Sequence, residues 1–248
     1  GLWEFAHLLT GEPAERGEDD QLVLKENTGL VFVLLPGARL PIEDAAESRS
    51  LNEVDLVSFL LSKYEMTVAQ WSRISSGWTT RHEYEAQPLH AASSVSWDDC
   101  QTYLSALPGW VGLPSEAQWE YGCRAGTTTP WWPGSDEALL HGVANIDFNP
   151  DDRKNGELFG VGTLEANAFG LHDVHGNLWE WCQDSPDEDL PRRPRDGLRV
   201  EIGSAYRVYR GGSFVNTASS ARSAYRDYGA PEPRRFGIGL RPSQGITP

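Results

Sequence analysis

From Gly126 to the C-terminus the sequence carries no sustained hydrophobic periodicity, neither the 3.6-residue repeat of a helix nor the alternation of a strand. Gly, Pro, Trp and Asn dominate there instead. An irregular stretch of that length inside a compact domain has to be pinned by ions, aromatics or a functional demand. The 25 glycines and ten tryptophans of the 248-residue chain point the same way. Glycine admits backbone conformations closed to other residues. Tryptophan asks for a large apolar pocket and a partner for its N–H. These features exclude a helical bundle and predict a loop-rich α+β fold plugged by aromatics.

The N-terminal half has more regular signals. Residues 1–10 suit a short helix or strand, Gln21–Lys25 alternates like a short strand, and Gly29–Pro36 is a continuous apolar run ending in a Pro36-Gly37 turn. Residues 38–53 are acidic and irregular and read as an exposed loop, followed by one strand over Val54–Leu61. Three helix starts share one chemistry: Thr67 with Gln70, Ser96 with Asp99, and Ser115 with Gln118. In each, a hydroxyl caps the third amide while the third side chain reaches back. Further on, Leu171–Cys182 is a short ordered island, and Arg207–Phe214 begins as a strand with Gly211-Gly212 as a bulge or close approach.

Charge and cysteine usage limit the partners. A net charge of −15 argues against a nucleic-acid partner, which needs clustered Lys and Arg. Glu15–Asp20 and Asp184–Asp189 read as solvated acidic loops, with Arg192, Arg193 and Arg195 folding back on the second. Cys100, Cys123 and Cys182 fit no metal spacing and read as buried free thiols of a reducing compartment. With no apolar run of membrane-spanning length and no signal peptide at Gly1, a cytoplasmic location is expected. Residues 1–30 are expected as an extension packed on a single domain over 31–248.

Two kinds of position interleave in residues 207–242. Arg210, Gly211, Gly212, Ser213, Phe214, Ala218, Ala221, Arg222, Ser223, Ala224, Arg226, Ile238, Gly239, Leu240 and Arg241 read as frame. Val215, Asn216, Thr217, Ser219, Ser220, Tyr225, Asp227, Tyr228, Gly229, Ala230, Pro233, Arg235, Phe236 and Gly237 follow no pattern. A regular frame carrying unpatterned side chains is the form of a ligand-binding surface built on loops.

Leu113–Gly126, Gly170–Cys182, Arg207–Phe214, Arg222–Arg226 and Gly237–Arg241, with Ser62–Thr67 before them, resemble the motifs of the formylglycine-generating-enzyme (sulfatase-modifying-factor) superfamily. The matching motifs run from about Val31 to Pro242. The resemblance implies a C-type-lectin-like α+β fold with short helices and small antiparallel sheets. Catalytic members carry a cysteine pair just after the Gly-Gly-Ser-aromatic motif, as soft ligands for Cu(I). Here the window Val215–Arg226 holds Asn216, Ser219, Ser220 and Ala221 and no cysteine, so a copper-dependent oxidase is the remote alternative. Relatives with an iron site of histidines are matched only by His172 and His175, which read as hydrogen-bonded side chains.

Two non-catalytic relatives remain: the variable protein of a diversity-generating retroelement, and the C-terminal domain of bacterial serine/threonine kinases. Adenine rewriting of asparagine codons cannot yield Lys, Glu, Gln, Trp or Met. None of these occurs at the unpatterned positions, and Glu232 sits in Pro231-Glu-Pro, read as frame. The retroelement reading leads, with an unknown protein as ligand, and the kinase-type interaction domain is the alternative. The resemblance also implies that Ca²⁺ can bind without being required. One set is Asn145 by its side chain and Ile146 by its backbone oxygen, supplemented by Asp147, Asp151 or Asp152; the other is Asn177, the backbone oxygen of Leu178, and Glu180. Against this, Asn177 can cap a turn and Glu180 can pair with Arg210 or Arg222.

Overall fold

The computed structural model describes residues 2–42, 52–75, 78, 87–148 and 156–246. The strands are β1 (Glu4–Ala6), β2 (Glu15–Arg16), β3 (Leu22–Val23), β4 (Val31–Leu35), β5 (Ala38–Ile42), β6 (Asn52–Leu56) and β7 (Phe59–Ser62). After α1 (Val68–Ile74) and α2 (Trp97–Leu104) come β8 (Val111–Gly112) and α3 (Glu116–Arg124). The chain closes with β9 (Trp179–Trp181), β10 (Arg207–Arg210), β11 (Arg226–Gly229), β12 (Ile238–Gly239) and β13 (Ser243–Gly245).

One sheet has the order β1-β4-β7-β13-β8 and is antiparallel throughout. The other has the order β11-β10-β9-β12, with β12 parallel to β9. Arg210 on β10 and Gly239 on β12 both stand opposite Glu180 in the middle of β9. Two small hairpins, β2-β3 and β5-β6, complete the strands.

The apolar run of β4 is explained by two cores. Phe32 faces a cluster with Met66, Trp71, Trp181 and Leu240, while Val33 and Leu35 face a second with Phe59, Leu61, Trp119 and Val208. A strand covered on both faces has no polar side to show. Trp71, Trp119 and Trp181 are fully buried. Each removes roughly 200 Å² from water, worth up to about 5 kcal/mol. Trp181 Nε1 donates to Val95 O at 3.1 Å, and Trp119 Nε1 to Glu180 Oε2 at 2.6 Å.

All three helices begin with the expected reciprocal caps. Three expectations need correction. Residues 38–42 and 52–56 form a hairpin rather than an exposed loop; the stretch between them lies outside the described residues. Val54–Leu61 is not one strand, because the chain turns at Val57-Ser58 and passes from that hairpin into the large sheet. Asp184 is not solvated: it is buried and accepts the backbone N–H of Glu116 at 2.7 Å and of Arg199 at 2.9 Å. A carboxylate that holds two loop ends together this way is indistinguishable in sequence from one in water. Among the described residues no helix is long and apolar enough to cross a membrane.

Candidate functional site

Residues 211–237 leave the small sheet after β10, rejoin it as its edge strand β11, and leave it once more before β12. The exit is forced by Gly212, at φ +75°, where a Cβ would lie 3.1 Å from Ala221 Cα. Beyond it, Ser213, Phe214, Ala218, Ala221, Ser223 and Ile238–Arg241 are buried, as the frame requires. Val215, Thr217, Ser219, Tyr228, Pro233, Arg235 and Phe236 are exposed, and Ser220, Tyr225, Asp227 and Ala230 are half-buried. These side chains come from a 3-10 turn (Ala218–Ala221), from the edge strand β11, and from the loop into β12.

The structure sorts the remaining positions differently from the sequence. Asn216 is half-buried and acts as a hub: its Oδ1 accepts Trp179 Nε1 at 2.9 Å, Ser213 N at 3.1 Å and Ser213 Oγ at 2.6 Å. Gly229 and Gly237 are buried, and Gly237, at φ +77°, gives its carbonyl to Trp179 N at 2.9 Å. Arg222 and Glu232 are exposed rather than frame, and Arg222 Nε donates to Ser219 O at 3.0 Å. Of the three aromatics, Phe236 packs edge-on against buried Phe214, Tyr225 lies against Trp179, and Tyr228 meets Tyr206 edge-on at 5.6 Å. Tyr206 is a surface residue that the sequence reading missed. Its only signal is position, one residue before a strand that pairs with β11.

Buried ion pairs hold this surface from beneath. Arg210 pairs with Glu120 and donates to Tyr225 O. Arg226 forks onto Glu116, Nε to Oε1 at 2.7 Å and Nη2 to Oε2 at 2.9 Å, and also reaches Glu188. Burial works to raise the Glu116 pKa, but Arg226 and Arg210 outweigh it and hold the carboxyl below its usual range. Burial, reinforced by the Glu116 charge, pushes Asp184 up to about 7. Glu180 pairs with neither Arg210 nor Arg222. It takes Arg241, whose Nη2 lies 2.8 Å from Oε1 and which also donates to the carbonyls of Ser62, Lys63 and His172. Planar guanidinium forks serve such multi-acceptor corners.

The Asn145, Asn177 and Glu180 side chains nominated for calcium have protein partners. Asn145 Nδ2 donates to Asn177 Oδ1 at 2.9 Å and to Glu157 O at 3.0 Å. Asn177 Oδ1 also accepts Phe159 N, and Asn177 Nδ2 donates to Glu65. The backbone amides of Asn177 and Leu178 are bonded to Asn145 O and Glu65 Oε1. Glu180 carries Arg241 and Trp119. Calcium wants six to eight oxygens; Asn177 and Glu180, as arranged, do not fit that demand. Ile146 is a buried core side chain, Asp147 N donates to Asn216 O, and Asp151 and Asp152 lie outside the described residues. Among the described residues no group of three or more His, Cys, Asp or Glu is placed to hold a metal ion.

The three cysteines are buried and unpaired. Cys123 lies 3.6 Å from Ser223 Oγ and 3.8 Å from His175 Nδ1, and burial pushes its thiol up to about 12. His175 is in turn satisfied by Ala221 O at 2.7 Å and Trp132 N at 3.0 Å. His172 bonds to Leu164 O at 2.7 Å. These groups are structural rather than reactive.

Short helices, two small sheets and long ordered loops define a C-type-lectin-like α+β domain. The sequence pattern of the Sulfatase-modifying factor enzyme 1-like domain matches residues 21–244, and the chain belongs to that family. It is 32% identical over 175 residues to the formylglycine-generating enzyme of Thermomonospora curvata, covering 62% of this chain and 55% of that protein. It is 28% identical over 169 residues to the serine/threonine-protein kinase pkn1 of Chlamydia caviae, covering 63% of this chain and 24% of the kinase. The chain therefore spans about half of the one relative and a quarter of the other. Among solved structures, Treponema denticola variable protein 1 shares the fold, with a TM-score of 0.69, 21% identity, and coverage of 87% of this chain and 96% of that one.

Proposed function

We propose that this domain is a non-catalytic display module, which presents the 215–237 surface to a protein ligand as the variable protein of a diversity-generating retroelement. The observation that carries the reading is the partition within one continuous segment: a buried frame beneath exposed side chains that, Glu232 excepted, are drawn from a restricted alphabet. Tyr228, Phe236 and Tyr225 are the anchors, since aromatics give large contact area at little ordering cost. The likeness to a variable protein supports the fold on which such a display rests. Oxidase chemistry has no support at this surface. Asn216, Ser219 and Ser220 are poor Cu(I) ligands, and the three thiols are buried. Purified protein with copper, oxygen and a cysteine-containing sulfatase peptide is expected to form no aldehyde.

The second reading, an interaction domain of a bacterial serine/threonine kinase, is favoured by the pkn1 likeness. The coding DNA separates the two. A nearby near-copy of the 207–242 segment, differing at adenines and adjoining a reverse-transcriptase gene, is expected on the first reading. A kinase domain in the same reading frame, without such a copy, would replace it with the second.

A further inference from the structure

At the far end of α2 from the 215–237 surface lies a cavity of about 440 Å³. The two places are distinct: the start of α2 meets the display segment through Asp98 N and Pro231 O, whereas the cavity opens beside its last turn. The volume falls within the roughly 300–1,000 Å³ of small-ligand clefts. Leu104 and Val111 give it an apolar wall, Gln101, Ser105 and Gln183 give it polar ones, and Trp110 stands at its edge.

Trp110 is the unusual residue. The residue is 83% exposed, it belongs to neither core, and it makes no aromatic contact among the described residues. Its backbone sits at φ +62°, a region that bulky L-residues rarely occupy. A large apolar side chain held in a strained conformation, covering nothing, is not explained by folding, and strain of this kind collects where a site needs it.

The lining narrows the ligand class. None of the lining side chains is charged, in a protein of net charge −15, so an ionic ligand finds no counter-charge. Gln183 Nε2 donates to Leu113 O at 2.8 Å, which fixes the amide and keeps its carbonyl as an acceptor. The Gln101 side chain makes no hydrogen bond among the described residues. Amides both donate and accept, so they match hydroxyl groups. A flat ring beside such groups matches a ligand with hydroxyls at its rim and C–H groups on its face.

We infer that Trp110 and the cavity beside it form a binding site for a neutral, gluco-configured saccharide, stacked on the indole and held by Gln101, Ser105 and Gln183. The gluco configuration is chosen because its equatorial hydroxyls leave both ring faces apolar.

The test follows the tryptophan indole N–H signals of the ¹⁵N-labelled protein by NMR while cellotetraose is added to millimolar levels. The Trp110 signal is expected to shift saturably, and glycerol at matched hydroxyl concentration is expected to leave it in place. Trp110→Gly accepts φ +62° without strain, so its melting temperature should equal or exceed that of the parent while its affinity, read from the backbone amide signals of Gly112 and Gln183 in both proteins, falls about tenfold or more. Gln183→Leu should weaken binding without moving the Trp110 signal of the free protein. An unshifted Trp110 signal, equal shifts with glycerol, or unchanged affinity in Trp110→Gly would each overturn the assignment.

Discussion

Replacing Asn216 by Ala separates frame from display more sharply than any other change. Its position alone groups it with the displayed residues, yet its oxygen accepts three hydrogen bonds, from Trp179 Nε1 and from the amide and hydroxyl of Ser213. Both partner residues are buried, and the hydroxyl of Ser213 can turn to another acceptor while the other two donors cannot. Two stranded N–H groups cost about 1–3 kcal/mol each. Partial access of water to the half-exposed site brings the total to about 2–4 kcal/mol. In a domain of this size that lowers the melting temperature by about 5–15 °C. Thr217→Ala, one residue along and exposed, removes only a contact with Ser219 Oγ and should cost less than about 0.5 kcal/mol. Asn216→Asp keeps the acceptor and should recover most of the loss. Calorimetry on the three variants checks this. An Asn216→Ala protein melting within a degree or two of wild type would show that the hub carries no load, and Asn216 would rejoin the display set.

The aromatic anchors should divide in the same assay. Tyr228→Ala should cost less than about 0.5 kcal/mol, and Tyr225→Ala, half-buried against Trp179, about 1–2 kcal/mol; equal losses would refute the division. Arg241→Met leaves Glu180 and three carbonyls uncompensated in the interior and should cost about 3–5 kcal/mol in urea unfolding, so a loss below 1 kcal/mol would contradict the cross-tie. Millimolar Ca²⁺ or a chelator should leave the melting temperature unmoved, and a calcium-dependent rise of several degrees would show that the Asn177 and Glu180 bonds yield to an ion. Burial holds His172 and His175 near pKa 4 against 6.5 in the unfolded chain, so their contribution to stability is lost as pH falls through that window. Asp173 and Asp184, raised by burial to about 6 and about 7, oppose this, because the folded chain keeps protons that the unfolded chain releases above 3.8. The melting temperature of His175→Gln relative to wild type should therefore rise as pH falls from 6.5 toward 4, and parallel profiles would refute it.

Local chemistry was legible in the sequence where one residue decides it. The three capping boxes are readable because hydroxyl and N3 side chain sit at a fixed spacing. The frame of the 207–242 segment is readable because a family motif marks it. What was not legible depends on distant partners. Glu180 stands near Arg210 across the sheet, yet it takes Arg241, which the fold returns to it from the far side. The β5-β6 hairpin is hidden by an acidic, irregular composition around a short pairing. Asn216 and Gly237 look variable because their roles lie in hydrogen bonds and a φ value rather than in side-chain pattern.

Because β11 pairs with β10 along Arg226–Gly229, and Arg210 and Gly239 both align with Glu180, the chain from 211 to 237 is two loops, 211–225 and 230–237, each fixed at both ends on the small sheet. The closure entropy of such a loop grows only with the logarithm of its length, about 0.6 kcal/mol for each doubling. Insertions among the exposed positions of these two loops, outside β11, should therefore cost little so long as the Gly212, Asn216 and Gly237 anchors stay in place. The same frame can carry ligand surfaces of different size as well as different chemistry.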